Sequence, residues 1–236
     1  MSAAEPPSGF DADGFGLDAN LGSSFPPLPP GRHRLPADFV ASYQRQRIVA
    51  ALVETVRISG PLSITVTDIV KAAGISRRTF YEHFADLDEC FDSTCDQAFD
   101  LFFDPFAAAY AGPGLWAERL DSALRALLGA LAAEPFLGEL CLVHAPARQA
   151  DRRTYRRAVE TLTEALRGAR EVTTFSQEPS PLGEELLAEG SVALIAARLT
   201  CGQGERLQEL APQLVRMLRA PLELEPADWG VSAFQS

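Results

Sequence analysis

The sequence predicts an all-α protein of 236 residues, and three observations carry that prediction. Apolar residues recur at helical spacing through successive stretches between residues 38 and 220. Gly and Pro fall at the breaks between those stretches, and no segment alternates apolar and polar for long enough to form a strand. In the first stretch Val40, Gln44, Ile48, Leu52 and Val56 recur at i+4, with Ala51 and Thr55 widening the stripe. Asp38 is the expected N-cap and Gly60-Pro61 the stop. A short second helix fits Thr65–Ala73, ended by Gly74, and a third runs from Ser76 to about Phe84. Asp86 is placed to cap a long fourth helix carrying Leu87, Phe91, Ala98, Phe102 and Phe106, which Pro105 is expected to kink or end. After Gly112-Pro113-Gly114, helices are expected over Leu115–Ala133, Phe136–Ala145 and an Arg-rich Ala147–Glu171. A loop at 173–183 precedes two last helices, Glu184–Thr200 and Glu205–Ala220.

Residues 1–37 hold seven prolines and five glycines with few aliphatics, so they read as a disordered arm. Arg32, His33 and Arg34 at its end either lie against nucleic acid or belong to a solvated tail. Apolar content of 47% is ample for a core. No apolar run is long enough to span a bilayer, and no basic residue or apolar h-region marks a signal peptide before Arg32. The expectation is a cytoplasmic protein with no membrane partner. Twenty of the 21 basic residues are Arg, the usage expected of a GC-rich bacterial genome.

Cys90, Cys95, Cys141 and Cys201 form no CxxC pair, and the histidines (His33, His83 and His144) are scattered. No structural zinc site and no cofactor is expected, and the thiols read as buried and reduced, with redox or metal sensing as the sharper alternative. The net charge of −11 is uneven. Residues 32–84 carry eight basic and four acidic side chains, whereas residues 85–236 carry 13 basic and 24 acidic ones. A mildly basic module on an acidic body confines favourable phosphate contact to one end of the molecule.

That module contains the informative run Thr65-Val-Thr-Asp-Ile-Val-Lys-Ala-Ala-Gly-Ile-Ser-Arg-Arg-Thr-Phe-Tyr-Glu-His-Phe84. Thr65 and Asp68 have capping-box spacing. Ile69 and Ala73 form an inward face, Gly74 suits a turn with positive φ, and Ile75 plugs the centre. Ser76 caps the next helix, which buries Phe80 and Phe84 and leaves Arg77, Arg78, Tyr81 and Glu82 outward. Short helix, tight turn and second helix with polar outward residues is the helix-turn-helix plan.

Over Gln46–Phe91 this pattern resembles the DNA-binding domain of the TetR family of bacterial transcriptional regulators. The resemblance rests on the T-hydrophobic-x-D-I start, the A-G-hydrophobic-S turn and the T-F-Y-x-H-F ending. It implies a helix-turn-helix DNA-binding domain at 38–86, a helical ligand-binding and dimerisation domain at 87–222 and a tail at 223–236. It further implies a homodimer on a double-stranded operator, most often a repressor, released by a small-molecule effector. Residue by residue, it implies that Thr67, Arg77, Arg78 and Tyr81 face the major groove, while Thr65, Thr79, Tyr81 and His83 touch phosphates and Ser76 caps the recognition helix. Glu82 either accepts from a cytosine amine or is solvated. The family often has lysine after the His-Phe pair, where this chain has Ala85-Asp86-Leu87-Asp88.

Phe99, Phe102, Phe103, Phe106, Tyr110 and Trp116 are either ordinary core or the lining of a cavity for an apolar or aromatic effector, with Cys141, His144 and Tyr155 as polar handles. Arg148, Arg152, Arg153, Arg156 and Arg157 read as a salt-bridged helix face or, more sharply, as an anion site. Leu186, Leu187, Gly190, Ala193, Leu194 and Ala197 form one stripe and Leu207, Leu210, Leu214, Met217 and Leu218 another; an intramolecular core explains either one, and together with the family resemblance they suggest a four-helix dimer interface. No catalytic motif is found, so an enzyme is not expected. The remaining alternative is a helical adaptor without specific DNA binding.

Overall fold

A computed structural model describes residues 36–148, 152–171 and 180–223, and no strand occurs among them. Arg32, His33 and Arg34 lie outside the described residues, as do the Arg148 side chain, most of the expected 173–183 loop and the tail beyond Glu223. Helix α1 (Ala37–Ser59) has its N-cap at Pro36, two residues earlier than expected. Pro36 precedes it and Asp38 sits in its first turn, where the carboxylate meets the positive end of the helix dipole without capping it. Its inner face buries Ile48, Val49, Leu52, Val53 and Val56 against α2 (Val66–Ala73) and the helices beyond.

Helix α3 (Arg77–His83) ends at Phe84, and α4 (Leu87–Tyr110) follows at once, capped by Asp86. The Asp86 carboxylate accepts from the Glu89 backbone N–H at 2.8 Å and the Glu89 carboxylate accepts from that of Ala85, so the acids after His-Phe build a helix start. Pro105 does not end α4, which continues to Tyr110. Pro105 lies on the exposed side, where water can satisfy the carbonyl that loses its donor.

The aromatic residues of α4 form a column inside the body. Phe99 stacks on Phe103 with centroids 4.3 Å apart, Phe103 meets Phe106 at 6.0 Å, and Phe106 stacks on Tyr110 at 6.1 Å. Helix α5 (Trp116–Ala133) packs along α4 and buries Leu120, Leu124, Leu127, Leu128 and Leu131. The expected 136–145 helix is α6 (Pro135–Glu139), a π-helical turn (Leu140–His144) and α7 (Ala145–Arg148).

The Arg-rich helix is shorter than expected. Arg152 adopts a left-handed conformation (φ 51°) as the residue before α8, which runs over Arg153–Arg167. At its end the Ala165 carbonyl accepts from the Tyr110 hydroxyl (2.8 Å) and the Trp116 indole N–H (2.9 Å). Gly168 permits this approach, because a Cβ there would lie 2.2 Å from the Tyr110 oxygen. Helix α9 (Pro181–Thr200) packs along α8. The last segment begins as a 3-10 helix (Gly204–Leu210) and becomes α10 (Ala211–Glu223).

Two readings of the body change. Leu207, Leu210, Leu214 and Leu218 are buried within the chain, packed toward α5, and only Met217 of that stripe is exposed (38%). Cys90, Cys95 and Cys141 are buried, but Cys201 is exposed. No single described helix is long and apolar enough to cross a membrane.

Candidate nucleic-acid interface

The helix-turn-helix is fixed by local bonds that its sequence encodes. The Asp68 backbone N–H donates to the Thr65 hydroxyl oxygen (3.4 Å), and the Asp68 carboxylate accepts from the Thr65 backbone N–H (2.9 Å) and hydroxyl (2.6 Å). Those bonds, the hydroxyl's first, hold the Asp68 carboxyl below its ordinary 3.8. Gly74 ends α2 at φ 62°, the left-handed value that glycine adopts without steric cost. The Ser76 hydroxyl then accepts from the Thr79 backbone N–H at 3.0 Å and starts α3.

Thr67, Arg77, Arg78 and Tyr81 are all exposed, Tyr81 by 56% despite its ring lying edge-on to buried Phe80. Arg77 donates to the Thr67 hydroxyl at 2.6 Å, which joins the start of α2 to the start of α3. Arg78 pairs with Glu82 one turn on at 3.0 Å. Thr65, Ser76 and Thr79 are occupied as capping groups, with Ser76 and Thr79 hydroxyls 2.9 Å apart. His83 turns the other way. Its ring is half-buried with Nε2 3.2 Å from Gln44 Oε1 of α1. Burial pulls its pKa below 6.5, the Arg45 charge adds to the shift and Glu82 opposes it. The ring is therefore held neutral.

Three residues of α1 that the motif reading did not single out complete the module. Arg47 donates to the Ala73 carbonyl at the end of α2. Arg45 donates to the His83 carbonyl at the end of α3 (3.0 Å), and Gln44 meets the His83 ring. Guanidinium groups at helix carboxyl ends satisfy orphan carbonyls and oppose the dipole. The sequence carried one sign of this: Gln44 stands in an otherwise apolar stripe, where a polar group needs a partner.

The expected effector residues are dispersed. Phe102, Phe103, Phe106 and Trp116 lie in the buried aromatic column and its surroundings. Cys141 is buried on the π-helical turn, its thiol 4.0 Å from the Cys95 carbonyl, and His144 is half-buried beside Glu139 at 3.5 Å. Burial pushes the Cys90 thiol, nearer the start of α4, up to about 12, so it stays protonated. A cleft of about 430 Å³ lies elsewhere, between α8 and α9. Tyr155 alone of those seven residues lines it, its hydroxyl donating to Glu189 at 3.0 Å. The Arg-rich face is largely paired: Arg153 and Arg157 reach Asp96 of α4, Arg157 also covers the Phe99 ring at 3.9 Å, and Arg156 lies 3.8 Å from Glu160. No group of three or more His, Cys, Asp or Glu side chains among the described residues is placed to hold a metal.

Known proteins place this arrangement. Three solved structures share the fold: the fatty acid degradation regulator FadR from Bacillus halodurans (TM-score 0.65, 18% identity, 77% of this chain and 97% of that one), FadR from Bacillus subtilis in complex with stearoyl-CoA (0.60, 17%, 73% and 96%) and a TetR-like transcriptional regulator from Rhodococcus sp. RHA1 (0.58, 20%, 81% and 100%). No curated protein matches the chain. Residues 48–94, from the middle of α1 into α4, match the model of the bacterial regulatory proteins, tetR family. Over that capped helix-turn-helix the chain is similar to the DNA-binding part of the tetR family, and the helical body behind it shares the fold of the three solved structures.

Proposed function

We propose that the chain works as a homodimeric repressor that binds a palindromic operator and releases it when a small apolar or aromatic effector occupies the body. One observation carries the reading: Thr67, Arg77, Arg78 and Tyr81 are all exposed on a helix-turn-helix whose ends are fixed from behind. Residues 38–86 form the DNA-binding part and 87–222 the body. Arg77 and Arg78 read guanine edges, a bidentate contact being worth roughly 1–3 kcal/mol of discrimination. Thr65, Thr79 and Tyr81 touch phosphates, and Ser76 caps the recognition helix. His83 reaches a phosphate only by leaving Gln44, so its contribution is the smallest of the set.

One helix-turn-helix reads few base pairs, so a second copy reads the other half-site about 34–36 Å away. The outward face of α9 suits that copy: Leu182 (72%) and Leu186 (68%) are exposed, and Gly190, Ala193 and Ala197 continue the face with small side chains that permit close approach. A duplex enriched from a randomised pool by the wild-type protein is the probe. Arg77→Ala and Arg78→Ala are expected to weaken binding and relax base preference, and Thr79→Ala to weaken it more uniformly. Full affinity and preference in both arginine variants would remove the assignment, and a monomer by light scattering at micromolar concentration would remove the dimer.

The switch runs through α4. This helix starts directly after α3 and continues to the Phe99–Tyr110 column. The Bacillus subtilis relative was crystallised with stearoyl-CoA, which makes acyl-CoA esters the first probes. A coupling of ~1–3 kcal/mol lowers operator affinity about 5- to 150-fold, and reciprocity makes the operator weaken effector binding equally. Calorimetry with and without the enriched duplex tests this. Equal effector affinities would leave a DNA binder without a ligand switch.

A further inference from the structure

We infer that Arg45 is the joint that sets the recognition helix against α4, a positioning residue that touches no DNA itself. The inference rests on the DNA-binding reading above and names the side chain through which α4 aims α3. The Arg45 guanidinium spends its two terminal nitrogens on different elements. Nη1 donates to the His83 carbonyl at the end of α3 (3.0 Å), and Nη2 donates to the Ser93 hydroxyl on α4 (2.7 Å). Its carbon lies 4.2 Å from the centroid of the Phe84 ring, the residue that ends α3. Phe84 is buried, and Asp86 begins α4 two residues later. One planar cation on α1 therefore spans the short link between recognition helix and signalling helix on three sides.

The chemistry demands arginine. A rigid fork addresses two acceptors in fixed directions and stacks on an aromatic face, whereas lysine is a single point charge on a flexible stem. Bonds to charged donors are stronger than neutral ones, and this pair is half-buried, where water competes less. Arg47 provides the contrast. It caps α2 in the same manner, through the Ala73 carbonyl and beside Gly74. Loss of Arg47 frees the end of α2, while loss of either arm of Arg45 changes how α3 sits on α4. A shift of α4 at Ser93 thus reaches the His83 carbonyl through two hydrogen bonds of one side chain.

The test uses full-length wild type, Ser93→Ala, Arg45→Lys and, as a control, Arg47→Met. The first measurement is amide hydrogen exchange of α2 and α3 in the DNA-free protein. The second is preference among duplexes in which the two halves of the wild-type enriched site are set at varied spacings. Ser93→Ala and Arg45→Lys are expected to speed exchange in α3 by about tenfold, leave α2 at the wild-type rate and flatten the spacing preference. Arg47→Met is expected to speed exchange in α2 and keep the spacing preference. Wild-type exchange in α3 for both Ser93→Ala and Arg45→Lys overturns the inference whatever happens on DNA. Faster exchange with an unchanged spacing preference also overturns it, since Arg45 then acts on local stability alone. If the wild type enriches no duplex, the DNA-binding reading fails by itself, and the exchange measurement still decides whether Arg45 joins α3 to α4.

Discussion

The helix-turn-helix and the body behind it are held by different forces. Helices α2 and α3 bury only Ile69, Ala73 and Phe80 between them, and their ends are fixed by directional bonds from Thr65, Asp68, Ser76, Arg45 and Arg47. Helix α4 alone buries Cys90, Phe91, Thr94, Cys95, Ala98, Phe99, Phe102, Phe103 and Phe106. Apolar burial is non-directional and scales with area, so the body suffers chiefly from lost volume. A module resting on a few hydrogen bonds responds in the opposite way. Losing one bond costs little stability and re-aims the exposed surface of α3. On the proposed function, the reading surface thus sits on the part most easily moved.

The sharpest way to break that contrast is to remove volume from the body. Phe102→Ala deletes a side chain that is only 2% exposed in the middle of α4, and ~3–5 kcal/mol of unfolding free energy is expected to go with it. Urea unfolding measures the loss. A cost under about 1.5 kcal/mol would mean that the column already contains space, and would move it from packed core to effector cavity.

The module should lose less and lose it locally. Ser76→Ala removes the cap of α3 and is expected to cost ~1 kcal/mol, within a range of roughly 0.5–2. Gly74→Ala forces a side chain into the left-handed region at a cost of roughly 1–2 kcal/mol. Amide exchange should accelerate in α2 and α3 while α5 keeps its protection. Equal acceleration throughout would show that module and body unfold as one unit and would erase the distinction.

The same contrast explains what the sequence made legible. Thr65/Asp68, Gly74 and Ser76 act on residues within four positions, so their spacing alone exposed both short helices and the turn. Arg45 meets residues 38 and 48 positions away, and Arg47 one 26 away. No local pattern records such a partner, so nothing in the sequence sets the arginines of α1 apart from those of an ordinary amphipathic helix. In the body, periodicity marked the helices but not which apolar stripe faces inward. Leu207–Leu218 serves the chain's own core, whereas Leu186 and its small neighbours face outward. The conformation of Arg152 was hidden too, because a left-handed arginine follows no local rule.

A pH dependence sharpens the comparison at the boundary between the two regions. The folded state holds His83 below its ordinary 6.5, through burial first and the Arg45 charge second. Between the folded and the ordinary value the unfolded chain binds more protons, so stability falls as pH drops below 6.5 and the loss is complete below the folded pKa. Titrating thermal stability from pH 8 to 5 is expected to show a steeper decline for the wild type than for His83→Gln, which keeps a polar partner for Gln44 and cannot titrate. Parallel curves would mean that His83 carries no such penalty. The Asp68 shift acts at lower pH, with stability present above 3.8 and lost as pH falls through the depressed value.

The smallest effect on stability, and the most informative for recognition, is expected at Glu82. Its carboxylate pairs with Arg78 at 3.0 Å on the exposed face of α3, where an ion pair gains little over solvated charges. Glu82→Gln should leave the unfolding curve nearly unchanged. Its effect on the enriched duplex depends on what Glu82 does there. If the carboxylate only holds Arg78 in the free protein, the substitution releases a guanidinium and removes a negative charge from a surface that meets phosphates. Affinity should then rise, by less than about fivefold, the equivalent of the ~1 kcal/mol upper end for an exposed pair. If the carboxylate instead accepts from a cytosine amine, affinity falls and preference at a single base pair relaxes. The pair seen on α3 favours the first outcome, since Arg78 and Glu82 already satisfy each other without DNA. A fall in affinity confined to duplexes bearing cytosine at one position would reverse that assignment and make Glu82 a reading residue beside Arg77.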